Sequence, residues 1–370
     1  MIVGVPAETK TDERRVAITP AGVREVVAAG GKVFVQAGAG LGSGIGDAQY
    51  VAAGAQIAST IEEVYDQARL ILHVKEPQPA DLELLKPEHV LFTYLHLAAY
   101  PAVAEALLER GCTAIAYETV QTPDGSLPLL APMSRIAGRM SVQAGSHFLE
   151  APHGGKGVLM GGIPGVARAR VTVLGAGVVG WHAIDVAVGM GARLVVLDVN
   201  LEKLGAIEAF WGGRVETLYS SRQTVEQYVT DADLVVGAVL VAGDRAPVIV
   251  EEDLIARMEP GSVVVDVAID QGGCIATSRE TTHQQPTFEV HGVIHYSVGN
   301  MPGAVPHTST YALTNATMRY VQALSGDLQR ALATAPELRG GVNIVAGKVT
   351  NKAVAHGLGR PCTALEDVVS

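Results

Sequence analysis

Short apolar runs recur along the chain at the length of buried strands, separated by stretches of helical periodicity. Ile2–Pro6 reads as a strand. Thr19 and Pro20 then open a helix, since a Thr oxygen can accept an orphan N–H and proline has no N–H to lose. That helix stops at Gly30-Gly31, and Lys32–Gln36 is the next strand. Helices over Thr60–Ala68 and Pro101–Arg110, and strands over Arg69–Lys75, His89–Leu97 and Thr113–Tyr117, continue the alternation. A long helical stretch, Ser134–Glu150, marks the passage to a second domain. After Gly154–Gly165, buried strands are predicted at Val171–Leu174, Leu194–Leu197, Leu234–Gly237 and Val263–Val267, with the last near Val293–Ser297. A helix over Ser309–Leu324 returns the chain to the first domain. Strands alternating with helices predict an α/β fold built on mostly parallel, doubly wound sheets.

One strand leads into the run Gly175-Ala176-Gly177-Val178-Val179-Gly180, a GxGxxG pattern. The pattern alone is weak, but its context here is complete. It follows Arg170–Leu174, opens a helix over Val178–Met190, and is followed by a strand ending in Asp198, about twenty residues on. Gly175 allows the tight turn, Gly177 lets the backbone approach a pyrophosphate, and Gly180 lets helix and strand pack closely. The helix start offers free N–H groups and a partial positive charge to phosphate. Asp198 can accept from ribose hydroxyls and would repel a 2′-phosphate, so the cofactor expected is NAD rather than NADP; Lys203 nearby moderates that preference. A second glycine run, Gly38 to Gly46, lacks the spacing and reads as a surface loop, and Gly347-Lys348 lacks the upstream glycine of a P-loop.

Composition narrows the partners. The chain has 370 residues, 48% hydrophobic and 18% charged, enough apolar material for two cores. The net charge is −11 and no basic block stands out, which argues against nucleic acid, since phosphate binding needs clustered cations. The first residues carry no basic n-region, and the apolar run Val171 to Ile184 is too short and Gly-rich to span a bilayer. A cytoplasmic protein without membrane contact is expected. Cys112, Cys274 and Cys362 are far apart and show no CxxC spacing, so neither a zinc site nor a disulfide framework is indicated.

Ligands in doubly wound sheets sit at the carboxyl ends of strands, so candidate chemistry was sought there. Glu13-Arg14-Arg15 follows the first strand and reads either as a solvated loop, the commoner case, or as a bidentate carboxylate clamp. Lys75 ends an apolar strand before Glu76-Pro77, where its charge either emerges into water or points into a cleft. His96 ends another; a lone His there is more often structural, yet its pKa suits proton transfer. Asp270 follows a fourth strand, in which Asp266 reads as a hydrogen-bonded structural acid.

Taken together, these segments resemble bacterial L-alanine dehydrogenase. The resemblance rests on Pro6-Ala7-Glu8, Glu13-Arg14-Arg15-Val16-Ala17-Ile18-Thr19-Pro20, Val74-Lys75-Glu76-Pro77, Tyr94-Leu95-His96-Leu97, the Gly175 run, Asp266-Val267-Ala268-Ile269-Asp270-Gln271-Gly272-Gly273 and Val298-Gly299-Asn300-Met301-Pro302, and it covers essentially the whole chain. It implies two Rossmann-like domains with an active-site cleft between them: a discontinuous substrate domain, 1–128 plus 307–370, and an NAD-binding domain, 129–306. It also implies a homohexamer and the reversible conversion of L-alanine, NAD⁺ and water to pyruvate, ammonium and NADH. By position, Arg15 and Lys75 would hold the substrate, and His96 and Asp270 would act in proton transfer. Ser134, Gly175, Gly177, Val178, Gly180, Asp198, Lys203, Ser220, Val239, Leu240, Val267, Ala268, Ile269, Asp270, Arg279, Val298, Gly299, Asn300 and Met301 would line the cofactor. Position 203 is Arg in some relatives. A divalent ion described for some members is not expected, because Ala323 and Asp327 occupy its region. Three rivals share features: the soluble subunit of proton-translocating transhydrogenase, which predicts membrane segments or a partner subunit; a lysine-forming saccharopine dehydrogenase, which predicts a larger, more acidic cleft; and a non-catalytic NAD-binding regulator, which has no need of Lys75, His96 or Asp270.

Overall fold

A computed structural model describes residues 2–239 and 246–369. It divides into two compact units, one formed by the residues up to Met133 together with those from Val305 onward, the other by Ser134–Ala304.

The first unit opens with β1 (Ile2–Val5), β2 (Lys32–Gln36), β3 (Gln56–Ala58), β4 (Leu70–Leu72), β5 (Val90–Thr93) and β6 (Thr113–Ala116). The second contains β7 (Arg170–Leu174), β8 (Arg193–Asp198), β9 (Val215–Tyr219), β10 (Leu234–Gly237), β11 (Val263–Asp266), β12 (Thr287–Val290) and β13 (Val293–Tyr296). Back in the first unit come β14 (Val342–Val345) and β15 (Lys348–Val349). Among the described residues the first sheet runs β15-β14-β6-β5-β4-β1-β2-β3 and the second β12-β13-β11-β10-β7-β8-β9. Each therefore holds the doubly wound order 3-2-1-4-5-6 in parallel pairing, extended at one edge by antiparallel strands: β14 and β15 in the first sheet, β12 in the second. The strand order reverses between β1 and β4 in one sheet and between β7 and β10 in the other, and the crevice at such a reversal is where ligands bind.

Residue alternation explains why the central strands are largely apolar. Along β8, Leu194 and Val196 enter one core while Val195 and Leu197 enter the core on the opposite face; Leu234/Val236 against Val235 and Val263/Val265 against Val264 do the same. Both faces are covered by helices, so nearly every position is apolar, and the buried polar residues on these strands, Thr172 and Asp266, are hydrogen-bonded. Thr19 caps the helix Pro20–Ala28 by accepting from the Gly22 N–H, and Gly111 ends Pro101–Arg110 at φ +68°. The helix Ala131–Phe148 carries the chain from one unit into the other, and Pro306–Leu324 belongs to the first unit.

Three sequence expectations change. Arg69–Lys75 and His89–Leu97 are shorter strands, ending at Leu72 and Thr93. Beyond those points the N–H groups of Val74, Lys75, Leu95 and His96 donate to side-chain carboxylates instead of a neighbouring strand. The strand near Val293 is not the last, because β14 and β15 follow it. The Gly38–Gly46 run is not a plain surface loop. Ser43 and Ile45 are buried, and the Ser43 hydroxyl donates to the Arg14 carbonyl at 3.0 Å, so the loop buttresses the segment that carries Arg15. No helix among the described residues is long and apolar enough to cross a membrane.

Candidate active site

In the first unit the candidate side chains stand at the carboxyl ends of β1, β4 and β5, on either side of the order reversal. Arg14 is exposed but Arg15 is only 2% exposed, which decides between the two readings of that pair: Arg15 is not part of a solvated loop. Its Nε and Nη2 donate to the two oxygens of Glu13, at 2.6 and 2.5 Å, its backbone N–H to Glu13 Oε1, and its Nη1 to Met133 Sδ at 3.0 Å. Burial opposes the charge on Arg15, but Glu13 outweighs it and holds the guanidinium protonated more firmly than usual.

Lys75 is buried as well, and its ammonium forms no ion pair among the described residues. Its backbone is fixed instead. Glu8 accepts from the Val74 N–H at 2.7 Å and the Lys75 N–H at 3.1 Å, while the Lys75 carbonyl accepts from Thr93 Oγ1. Glu8 also meets His73 Nδ1 at 3.1 Å, and His73 is held on its other nitrogen by Tyr65. His96 follows β5 with φ +48° and a side chain 30% exposed. Glu118 accepts from the His96 N–H at 2.6 Å. Tyr94 stacks parallel to the His96 ring, with centroids 5.8 Å apart. Burial pushes the Tyr94 phenol above its ordinary pKa, with Glu118 and Glu13 adding to the shift and Arg15 opposing it. Its hydroxyl donates to the Leu129 carbonyl at 2.6 Å.

Three glutamates to which the sequence assigned no role thus hold the three candidates of this unit: Glu13 holds Arg15, Glu8 holds Lys75, and Glu118 holds His96. A signal for two of them existed, since Glu8 and Glu118 also lie just past the carboxyl ends of apolar strands. The search there was weighted towards cations and proton donors.

In the second unit the glycine run sits at its own order reversal. Gly175 has φ +103°, and a Cβ there would meet the Ala238 carbonyl oxygen at 2.7 Å. A Cβ on Gly180 would lie 1.8 Å from the Gly175 oxygen, whereas one on Gly177 meets nothing within 4 Å. Gly177 therefore borders an open cradle, and the helix Val178–Gly189 starts there without a side-chain cap. Bare N–H groups beside room for a diphosphate fit a dinucleotide. Asp198 closes one side of the loop. Its Oδ2 accepts from the Ala176 N–H at 2.6 Å, its Oδ1 from the Asn200 N–H at 2.7 Å, and its carbonyl from Ser220. Val239 follows β10 beside Gly175, and the Val267 N–H bonds to the Gly237 carbonyl. These residues share one sheet edge. Val298 is joined to Thr281 by a parallel bridge, Asn300 has φ +61°, and Met301 is buried. A Cβ on Gly299 would displace the Glu280 side chain, and Arg279 lies over the Phe288 ring at 4.4 Å.

Asp270 is exposed in the short turn Ile269–Gln271, one turn past β11. Asp266, by contrast, is buried and accepts from the Ala268, Cys274 and Ile275 N–H groups, as a structural acid does. Ser134 is half-buried in the first turn of Ala131–Phe148. Lys203 is exposed in the first turn of Leu201–Trp211, where its backbone completes the Asn200 cap. Leu240 lies outside the described residues. Cys112 and Cys274 are buried and free, while Cys362 is exposed. Among the described residues, His147, Glu150 and His153 bring ligand atoms within 4.8 Å of one another, all exposed at the end of Ala131–Phe148 and the turn after it.

Residues 4–137 match the profile of the alanine dehydrogenase/PNT N-terminal domain, and residues 141–352 that of the alanine dehydrogenase/PNT C-terminal domain. The chain belongs to the alanine dehydrogenase/PNT family. It is 52% identical to an alanine dehydrogenase of Methanococcus maripaludis, with all of both chains covered. It is 53% identical to one of Mycolicibacterium smegmatis, with 98% of each covered. A solved L-alanine dehydrogenase structure superposes with a TM-score of 0.93 at 49% identity, over 97% of this chain and 99% of that one. A transhydrogenase from Sinorhizobium meliloti shares the family fold, with a TM-score of 0.81 at 23% identity, over 95% of this chain and all of that one.

Proposed function

We propose that this chain is an L-alanine dehydrogenase, which interconverts L-alanine with pyruvate and ammonium while passing hydride to or from NAD. The observation that carries the reading is a buried residue, Lys75, with no ion pair among the described residues, on the sheet edge that also carries the buried Arg15. A lysine held in such a place leaves its charge to be matched by something anionic or strongly polar, and a 2-oxo acid supplies both a carboxylate and a carbonyl oxygen. Full-length identity of about half to curated alanine dehydrogenases supports the same substrate.

Arg15, oriented by Glu13, holds the substrate carboxylate through its guanidinium. Lys75 faces the carbonyl region. His96 hydrogen-bonds the oxygen that develops at the reacting carbon. Asp270, exposed and free of burial, orients and deprotonates the water that adds to the imine carbon in the oxidative direction. Bound NAD supplies the hydride acceptor. Gly177 and the start of Val178–Gly189 hold its pyrophosphate, and Asp198 takes the ribose hydroxyls, its charge disfavouring a 2′-phosphate. Val178, Ser134, Ser220, Val239, Lys203, Arg279 and the turn Val298–Met301 border the rest, and no metal takes part. The full-length family match supports a homohexamer, and free cysteines without a spanning helix accord with a cytoplasmic enzyme.

One assay tests the reading. NADH oxidation is followed with pyruvate plus ammonium, with pyruvate alone, with glyoxylate plus ammonium, and with NADPH in place of NADH. Turnover that requires ammonium and prefers NADH is expected. No ammonium-dependent turnover removes the proposal, and light scattering checks the hexamer.

A further inference from the structure

We infer that Glu118 is a positioning residue for His96, an inference that rests on the proton-transfer role proposed for that histidine. Glu118 lies in the short turn Tyr117–Thr119 just past β6, the strand that pairs with β5. Its side chain is 13% exposed. Oε1 accepts from the His96 N–H at 2.6 Å and the Leu95 N–H at 3.2 Å, and Oε2 lies 3.3 Å from the same Leu95 N–H. Oε1 also stands 3.9 Å from His96 Nδ1, so the carboxylate occupies the Nδ1 side of the ring and leaves Nε2 as the outward nitrogen.

The arrangement matters because the His96 backbone is in an uncommon conformation. Its φ of +48° lies in the left-handed region, which costs energy for a residue with a side chain and is held in place by its surroundings. The surroundings here act from both sides. Ahead of the residue, Glu118 takes two successive N–H groups. Behind it, the His96 carbonyl accepts from Ala99 at 2.8 Å and Tyr100 at 3.1 Å. The later pair closes the turn, and the Glu118 bonds tie it to the end of β6. Without an acceptor at position 118, two N–H groups lose their partner, φ relaxes, and the ring swings with it. Glu8 secures the Lys75 backbone by the same device, two successive N–H groups on one carboxylate, which marks it as the way this sheet edge fixes its irregular residues.

The test measures kcat for ammonium-dependent NADH oxidation, NADH affinity by fluorescence, and melting temperature, for E118A, E118Q, H96A and the H96A/E118A double variant in the full-length protein. Displacement of a catalytic group by about an ångström costs about 10²-fold, and a loss of that size in kcat is expected for E118A, with NADH affinity nearly unchanged. E118Q keeps an oxygen that can accept from both N–H groups, so it should recover at least about tenfold of that loss even if E118A proves unstable. The decisive readout is the double variant. A residue that acts only through His96 has nothing to act on once the ring is gone, so E118A should add almost nothing to H96A. An E118A enzyme with kcat near that of the unmodified protein, a loss that multiplies with that of H96A, or E118Q as slow as E118A would overturn the inference while leaving the proposed activity intact. An unmodified protein without ammonium-dependent turnover would remove both.

Discussion

Two glycines three residues apart should separate binding from stability. A methyl group on Gly177 meets nothing within 4 Å, and the residue's φ of −75° suits alanine. Alanine is a poorer N-cap than glycine by several tenths of a kcal/mol, but it also lowers the entropy of the unfolded chain by roughly 0.4–1 kcal/mol. Gly177→Ala should therefore leave the melting temperature almost unmoved. The methyl would instead stand where the pyrophosphate approaches. Loss of one or two charge-assisted N–H contacts, about 1.5–3 kcal/mol, weakens NADH binding by about 10–150-fold. Gly180 is the opposite case. Its Cβ would lie 1.8 Å from the Gly175 oxygen, against a floor of 3.0 Å for real contacts, and the obstacle is backbone that has no rotamer to change. The start of the helix must retreat from the loop. Overpacking of this kind costs about 1–3 kcal/mol, with a fall of about 2–4 °C in melting temperature for each kcal/mol in a domain of this size. Binding is lost too, because the helix N-terminus moves. Thermal melts and NADH fluorescence titrations of both variants read the contrast. Gly177→Ala with unchanged NADH affinity, or with a melting temperature depressed as far as that of Gly180→Ala, would refute the assignment of this loop.

Other outcomes follow from the same geometry. His96→Ala should lower kcat by about 10²–10⁴-fold with NADH binding near normal; a comparable loss of NADH binding would sink its proposed role. Arg15→Lys replaces a fork that reaches both Glu13 oxygens with a point charge, so steady-state kinetics should show the pyruvate KM rising by more than about tenfold. At Asp233 burial pushes the carboxyl up, but the Arg170 N–H at 2.6 Å and the Lys156 ammonium at 2.5 Å outweigh it and hold the pKa below its ordinary value. A depressed carboxyl stabilises the fold above its unfolded pKa and loses that contribution as pH falls through the folded value. Asp233→Asn should therefore cost about 1–2 kcal/mol in denaturant melts at neutral pH, and the gap should close below about pH 4. A gap that persists in acid would contradict this account.

Much of the second unit was legible before folding. A strand buried on both faces is apolar at nearly every interior position, so β7, β8, β10 and β11 announce themselves by their apolar runs, length and flanking turns. The roles of Gly175, Gly177 and Gly180 follow from the absence of a Cβ, a property of the residue itself. The short, half-exposed β9 and β12, with glutamates and threonines among their apolar residues, carry no comparable signal. Nor did β14, which pairs antiparallel to β6 from more than two hundred residues away, or β15, which pairs antiparallel to β14.

The site divides in the same way. Local chemistry was enough to raise Arg15, Lys75, His96 and Asp270 as candidates, because each stands beyond the end of an apolar run. What local chemistry could not decide was which run ends adjoin. The sheet order places β4, not β2's next neighbour in sequence, beside β1, and so brings Glu8 to the Lys75 backbone across 67 residues. β6 beside β5 brings Glu118 to His96 across 22. Apolar patterning specifies that a segment is buried, a condition any neighbouring strand can satisfy. The choice of neighbour is made only when the whole sheet is assembled, and with it the carboxylate that holds each functional residue in place.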